Sequence, residues 1–183
     1  MKNFSLSLLL VSLVFFTYAI SSLLIGTLIY KISPAQSNFK IIKTVKSYLV
    51  QNPALNSVCD LGSGFGFFCL YLSWCFPQRQ IQAIEIQTIP YYFSIFLKYL
   101  FRRKNLHIRK ANFFHLKTID VDCVYCYLYN DKKNLIGDHL KQVVKRKTVV
   151  ISSTFKLNLG NEKKIQVKDL YFSPVYFYEI QPI

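Results

Sequence analysis

Ser57-Val58-Cys59-Asp60-Leu61-Gly62-Ser63-Gly64-Phe65-Gly66 is the stretch that decides the architecture of this chain. Ser57 to Leu61 reads as a short buried strand. The three alternating glycines that follow read as a tight turn, and Gly66 to Phe76 as an apolar helix. A strand entering a glycine turn that opens a helix is the first half of a βαβ unit, which implies a parallel sheet. Glycine there lets backbone approach a bound molecule without Cβ interference, and a helix amino terminus adds N–H donors.

Two features narrow what the turn holds. Asp60 stands two residues before Gly62. A pyrophosphate gains nothing from a carboxylate at that place, whereas a cationic sulfonium or ammonium group does. The spacing is also G-x-G-x-G, not the G-x-G-x-x-G of dinucleotide sites. Glu85 closes a second strand, Gln80 to Ile86, about 20 residues beyond the loop. In sheets of this kind that position carries the acid that accepts from ribose hydroxyls. Order and spacing together point to a nucleoside with a cationic tail.

Outward from the loop, the alternation of elements continues. Phe39 to Val50 places Ile41, Ile42, Val45 and Leu49 at helical spacing with Lys40, Lys43 and Lys46 outward. Ile89 to Arg103 predicts an aromatic helix ending in Arg102-Arg103-Lys104, a basic run that suits its dipole. Leu106 to Arg109, Val121 to Leu128 and Lys147 to Ser153 predict three more strands, with a helix over Lys132 to Val144. Lys164 to Leu170 and Val175 to Ile180, separated by Tyr171 to Pro174, predict a closing hairpin. The fold class that follows is α/β: a Rossmann-like, mainly parallel sheet with an antiparallel C-terminal hairpin.

The chain has 183 residues and a formal charge of +14, from 23 Lys and Arg against 9 Asp and Glu. That surplus favours an anionic partner without choosing one. Five scattered cysteines do not form the even set of a secreted disulfide framework, so buried reduced thiols are expected. Cys123 and Cys126 lie three apart on a strand, hence on opposite faces, and no second pair completes a metal site. No metal is expected. His107, His115 and His139 are scattered and read as structural or exposed.

No charged residue occurs between Lys2 and Lys31, and Phe4 to Tyr30 is rich in Leu, Val, Ile and Phe. About 20 apolar residues cross a hydrocarbon core, so residues 4–30 predict an N-terminal transmembrane helix, with hydroxyls such as Thr17 and Ser21 bonding back to helix carbonyls. The run exceeds the ~7–15 residues of a signal-peptide core. Residues 31–38 are then a linker and 39–183 the domain. Lys31, Lys40, Lys43 and Lys46 follow the span, so the positive-inside tendency gives a single-pass protein with its domain facing the cytoplasm.

At the residues quoted, the sequence resembles a class I S-adenosylmethionine-dependent methyltransferase, in order from about Lys40 to the end. Within that superfamily it is most similar to small membrane-anchored protein-lysine methyltransferases related to the ATP synthase c-subunit lysine methyltransferase. They share a single N-terminal span, a short domain and an Asp-Leu-Gly-Ser-Gly loop. The resemblance implies S-adenosyl-L-methionine as cofactor, with Asp60, Gly62, Ser63 and Gly64 at its methionine part and Gly66 completing the loop. It implies Glu85 at the ribose, and Asn112 with Phe113 at the adenine. The pattern is left at Phe65 and Phe67, where such loops commonly carry an acid and a basic residue. It is also left after the fourth strand, where no proline follows.

Tyr127 and Tyr129, at the end of that strand, are the candidate catalytic residues, because aromatic faces can hold an ammonium. The implied reaction is methylation of lysine on a membrane or membrane-associated protein. Two alternatives stand beside it: a small-molecule or lipid methyltransferase, and a cofactor-binding module without turnover. Anionic lipid headgroups suit the charge as partners. Nucleic acid is disfavoured, since Tyr127-Leu128-Tyr129-Asn130 stands where a base-methylating motif would.

Overall fold

The computed structural model describes residues 38–127, 133–160, 162–167 and 173–182, together with 12–14, 17 and 21. Chain order gives α1 (Phe39–Gln51), β1 (Ser57–Leu61), α2 (Phe67–Cys75), β2 (Gln80–Glu85), α3 (Thr88–Leu100) and β3 (Leu106–Lys110). A 3-10 turn at Phe113–His115 leads to β4 (Cys123–Cys126), α4 (Lys133–Val143), β5 (Thr148–Ser153), β6 (Glu162–Gln166) and β7 (Pro174–Ile180). The seven strands form one sheet in the order β3-β2-β1-β4-β5-β7-β6. β1 to β5 pair in parallel, while β7 pairs antiparallel with both β5 and β6. The expected sheet and closing hairpin are both present.

Burial alternates along the strands as a two-sided sheet requires. Val58, Cys123, Tyr125 and Ile151 join one core with Ile41, Val45 and Leu49 of α1 and Phe68, Cys69 and Leu72 of α2. Cys59, Leu61, Val124, Cys126 and Val150 face the other way, against Ile136, Leu140 and Val143 of α4. Cys123 and Cys126 therefore do lie on opposite faces. Each fully buried aliphatic side chain contributes about 1.5–3 kcal/mol, so the two cores carry the domain. All five cysteines are free thiols. Burial raises the thiol pKa of Cys59, Cys69, Cys123 and Cys126.

Local chemistry explains the element ends. The Asn38 side chain accepts from Lys40 N at 3.0 Å and caps α1. The aromatic helix stops at Leu100, three residues before the expected end, because Arg102 takes a left-handed φ of 51°. The basic run thus sits in the turn beyond the helix. Asp122 ties together the amino-terminal ends of the central strands β1 and β4: its Oδ2 accepts from Asn56 N, Ser57 N and Ser57 Oγ, while Arg146 holds its Oδ1 at 2.9 Å. β4 is shorter than the strand expected from Val121, and β6 begins earlier than Lys164, since its register with β7 runs from Glu162↔Tyr178 to Gln166↔Pro174.

The expected N-terminal transmembrane helix is corrected. Among the described residues no helix is long and apolar enough to cross a membrane. A span needs about 20 apolar residues in one unbroken helix, and the longest helices described, α1 and α3, have 13 each. Apolar composition, from which the helix was inferred, does not by itself supply that continuity. Within residues 4–30, the described positions are 12–14, 17 and 21, all helical, with Thr17 Oγ1 bonded to the carbonyls of Leu13 and Val14 and Ser21 Oγ to that of Thr17. The remainder of that segment, and linker residues 31–37, lie outside the described residues.

Candidate cofactor and acceptor cleft

The strand order reverses between β1 and β4. The chain moves outward through β2 and β3 on one side, then returns to β4 and β5 on the other. In open α/β sheets the crevice at the carboxyl ends of such strands is where ligands bind. A cleft opens there, lined by Ile42, Asp60, Gly62, Ser63, Phe65, Gly66, Phe67, Phe68, Tyr125 and Tyr127.

Hydrogen bonds from the loop's amides tie it mainly to the end of β2. Gly62 N and Ser63 N both donate to the Ile84 carbonyl, at 2.9 and 3.0 Å, and Gly66 N donates to Ser63 O at 3.0 Å. Gly64 N donates to Glu85 Oε2 at 2.7 Å. Four loop amides are thus committed within the protein, so the loop does not present the converging N–H groups of a phosphate cradle. Gly62, Gly64 and Gly66 have φ of 77°, 55° and 76°, the left-handed region. At Gly66 the demand is doubled, since a Cβ would lie 2.6 Å from Ser94 Cβ of α3.

Electrostatically the cleft contrasts with the rest of the molecule. Among its lining residues Asp60 carries the one ionisable carboxyl, and no Lys or Arg is present, although the chain is strongly basic. The Asp60 carboxyl is buried and its pKa is pushed up to about 7, chiefly by that burial. Its Oδ2 accepts from Cys69 Sγ, 3.4 Å away, which opposes the rise; the nearby Glu85 adds to it. Glu85 is also buried, which raises its pKa, while backbone N–H groups of Gln87, Gly64 and Ile86 pull the other way. Its Oε1 accepts from Gln87 N at 2.7 Å. Ser63 Oγ is buried with no hydrogen-bond partner, a polar atom aimed where a ligand would satisfy it.

The structure therefore brings Asp60, Gly62, Ser63, Gly66 and Tyr127 to one cleft, and ties Gly64 to Glu85 behind it. Asn112 and Phe113 do not line it. Asn112 Oδ1 accepts from Phe114 N at 3.0 Å and caps the 3-10 turn, so the amide oxygen already has a partner. Phe113 is buried in the α4-side core, and its carbonyl bonds His139 Nε2 at 2.9 Å. Tyr129 lies outside the described residues. Sequence reasoning missed Cys69, Ile42, Phe68 and Tyr125. Cys69 sits at the Asp60 carboxylate because α2 packs back onto β2, where its thiol also lies 3.9 Å from the Gln82 carbonyl, a proximity that no fixed spacing announces. Tyr125 bonds Ser153 Oγ at 2.9 Å.

No protein-family model matches the sequence, and a search of curated protein sequences found no match. Solved structures do resemble it. An RNA methyltransferase from Salinibacter ruber in complex with S-adenosyl-L-homocysteine superposes with a TM-score of 0.66 at 16% identity, over 80% of this chain and 94% of that one. TYW2 from M. jannaschii in complex with AdoMet gives 0.61 at 14% identity, over 81% and 79%. A SAM-dependent methyltransferase from Aquifex aeolicus gives 0.55 at 15% identity, over 79% and 100%. The chain has the Rossmann-like fold of S-adenosylmethionine-dependent methyltransferases.

Proposed function

We propose that this chain is an S-adenosylmethionine-dependent methyltransferase whose acceptor is an amine, foremost the side chain of a protein lysine. The observation that carries the cofactor assignment is the pairing of a buried Asp60 carboxyl with a glycine loop whose amides are turned inward. Such a site repels phosphates and rewards a cation. Ser63 Oγ, buried and unpartnered, fits a polar cofactor atom. Cofactor-bound structures of the same fold support the reading.

S-adenosylmethionine would supply a methyl group on a sulfonium sulfur; the acceptor nitrogen forms a bond to that carbon as the carbon–sulfur bond breaks, leaving a thioether. The chain's own residues position and shield. Asp60 and Ser63 would hold the cationic tail, and Glu85, fixed by Gly64 and Gln87, would take ribose hydroxyls. Phe65, Phe67, Phe68 and Tyr127 exclude water from the mouth. An aromatic mouth without Lys or Arg favours an amine over an anionic acceptor, because desolvation depresses an ammonium pKa and ring faces tolerate residual charge.

Titration of S-adenosylmethionine into the full chain, followed by labelled-methyl transfer into a protein extract, tests both steps. Saturable binding with label on lysine is the expected result. Absence of binding refutes the cofactor assignment. Binding with label in small molecules refutes the lysine acceptor. Binding without any transfer leaves a cofactor-binding module, the reading suggested by Phe65 packing against Phe93 at 5.4 Å beside the loop.

A further inference from the structure

We infer that the outer face of α3, with the basic turn that follows it, docks the protein onto an anionic lipid surface. This goes beyond methyl transfer and stands whether or not the cleft is active. α3 buries Pro90, Ser94 and Leu97 on the sheet side. The remaining surface of an ordinary surface helix is polar. Here Tyr92, Phe93, Phe96, Tyr99 and Leu100 stand exposed, at helical positions i, i+1, i+4, i+7 and i+8. Tyr99 is 71% exposed and Phe96 56%. The stripe continues beyond the helix. Phe93 packs against Phe65 and Phe67 at the cleft mouth, and Trp74, 62% exposed, lies against Phe101. Contiguous apolar exposure of this kind marks an interaction surface.

Charge selects the partner. In the first 119 residues Asp60 and Glu85 are the two acids, and both are buried behind the loop. Among the described residues no ion pair engages Lys98, Arg102, Arg103, Lys104 or Lys110 around the stripe. Aromatic and leucine side chains rimmed by Lys and Arg are the composition that settles at the boundary of anionic headgroups and acyl chains. A single strand of nucleic acid would need free ring faces for its bases. These rings pack on one another instead, and several faces already carry a cation: Arg103 over Trp74 at 5.5 Å, Lys98 over Tyr99 at 5.8 Å and Lys110 over Tyr92 at 5.9 Å. Phe and Leu offer no base-reading groups either.

Trp74 is the sole tryptophan of the chain, so its fluorescence reports on this face alone. The full-length protein is mixed with vesicles of phosphatidylcholine containing about one-third phosphatidylserine, with brominated acyl chains as quencher. Trp74 emission is expected to shift to the blue and be quenched, less so at high salt. Pure phosphatidylcholine should give a weaker response. The double substitutions Tyr99→Ser with Leu100→Ser, and Arg102→Glu with Lys104→Glu, should each weaken the partition constant roughly tenfold while melting temperature and cofactor affinity hold. Trp74 unmoved by anionic vesicles overturns the inference, as does a stably folded variant that partitions like the wild type. Quenching saturated by oligouridine but not by vesicles overturns it in favour of single-stranded nucleic acid.

Discussion

Replacing Asp60 by Asn should make the cofactor-free protein more stable at neutral pH while weakening cofactor binding. The buried Asp60 carboxyl titrates near 7 instead of 3.8. From about pH 4 upward the unfolded chain releases this proton while the folded chain keeps it, so folding stability declines as pH rises. The decline is about 1.4 kcal/mol per pH unit, and it ends near pH 7, where the folded carboxyl ionises too. The accumulated cost is then about 4 kcal/mol, and it is absent at pH 4. Asn keeps the size and the acceptor for Cys69 Sγ but has nothing to ionise. Urea denaturation of both proteins across pH 4 to 8 gives the difference directly, since all other titrating groups are shared. The variant should match the wild type near pH 4, exceed it increasingly up to about pH 7 and keep a constant margin from there to pH 8. A cationic cofactor reverses the preference: wild-type affinity should rise up to tenfold per pH unit below 7 and level off above. At pH 8 the variant should bind about 30-fold more weakly, the loss of one charge-assisted contact. Parallel stability curves, or affinity independent of pH in the wild type, would refute the assignment of Asp60 as the cation's partner.

Gly66→Ala should destabilise the fold by about 3 kcal/mol, because a Cβ meets Ser94 at 2.6 Å on top of a left-handed φ. Gly64→Ala, where nothing lies within 4 Å, should cost only about 1 kcal/mol; equal melting temperatures for the two would contradict the packing argument. Glu85→Gln should weaken cofactor binding about tenfold and reduce discrimination against a 2′-deoxyribose analogue, measured by calorimetry. With an aromatic disulfide reagent, Cys75, the one thiol of the five that is not buried, should react in the native state, and the other four only after unfolding.

The fold was legible because its cues are local. Ser57 to Leu61 was bounded as found, since the glycine turn ends it in the sequence itself. The aromatic helix was overextended because Arg102 looks helical by composition, while its left-handed backbone is set by the turn into β3. Tertiary contacts were not legible. Cys69 reaches Asp60 only because α2 packs back onto the sheet at β2, and the bond from Phe114 N to Asn112 Oδ1 depends on a 3-10 turn that the sequence does not mark. The transmembrane helix was inferred from apolar composition, and composition does not show that a helix is continuous.

The position of β7 has a consequence for how the sheet is completed during synthesis. β7 lies between β5 and β6 although it follows both in the chain. Until its residues leave the ribosome, β5 presents an open row of amides and carbonyls, and β6 has no strand to join. With translation at about 5–20 residues per second, that edge stays unpaired for seconds after β1 to β5 have been made, and an unpaired edge invites association with other chains. Lys147 and Lys145, charged and exposed beside the start of β5, stand where a repelling charge guards that edge. A nascent chain stalled before Pro174 is thus the form most prone to aggregate.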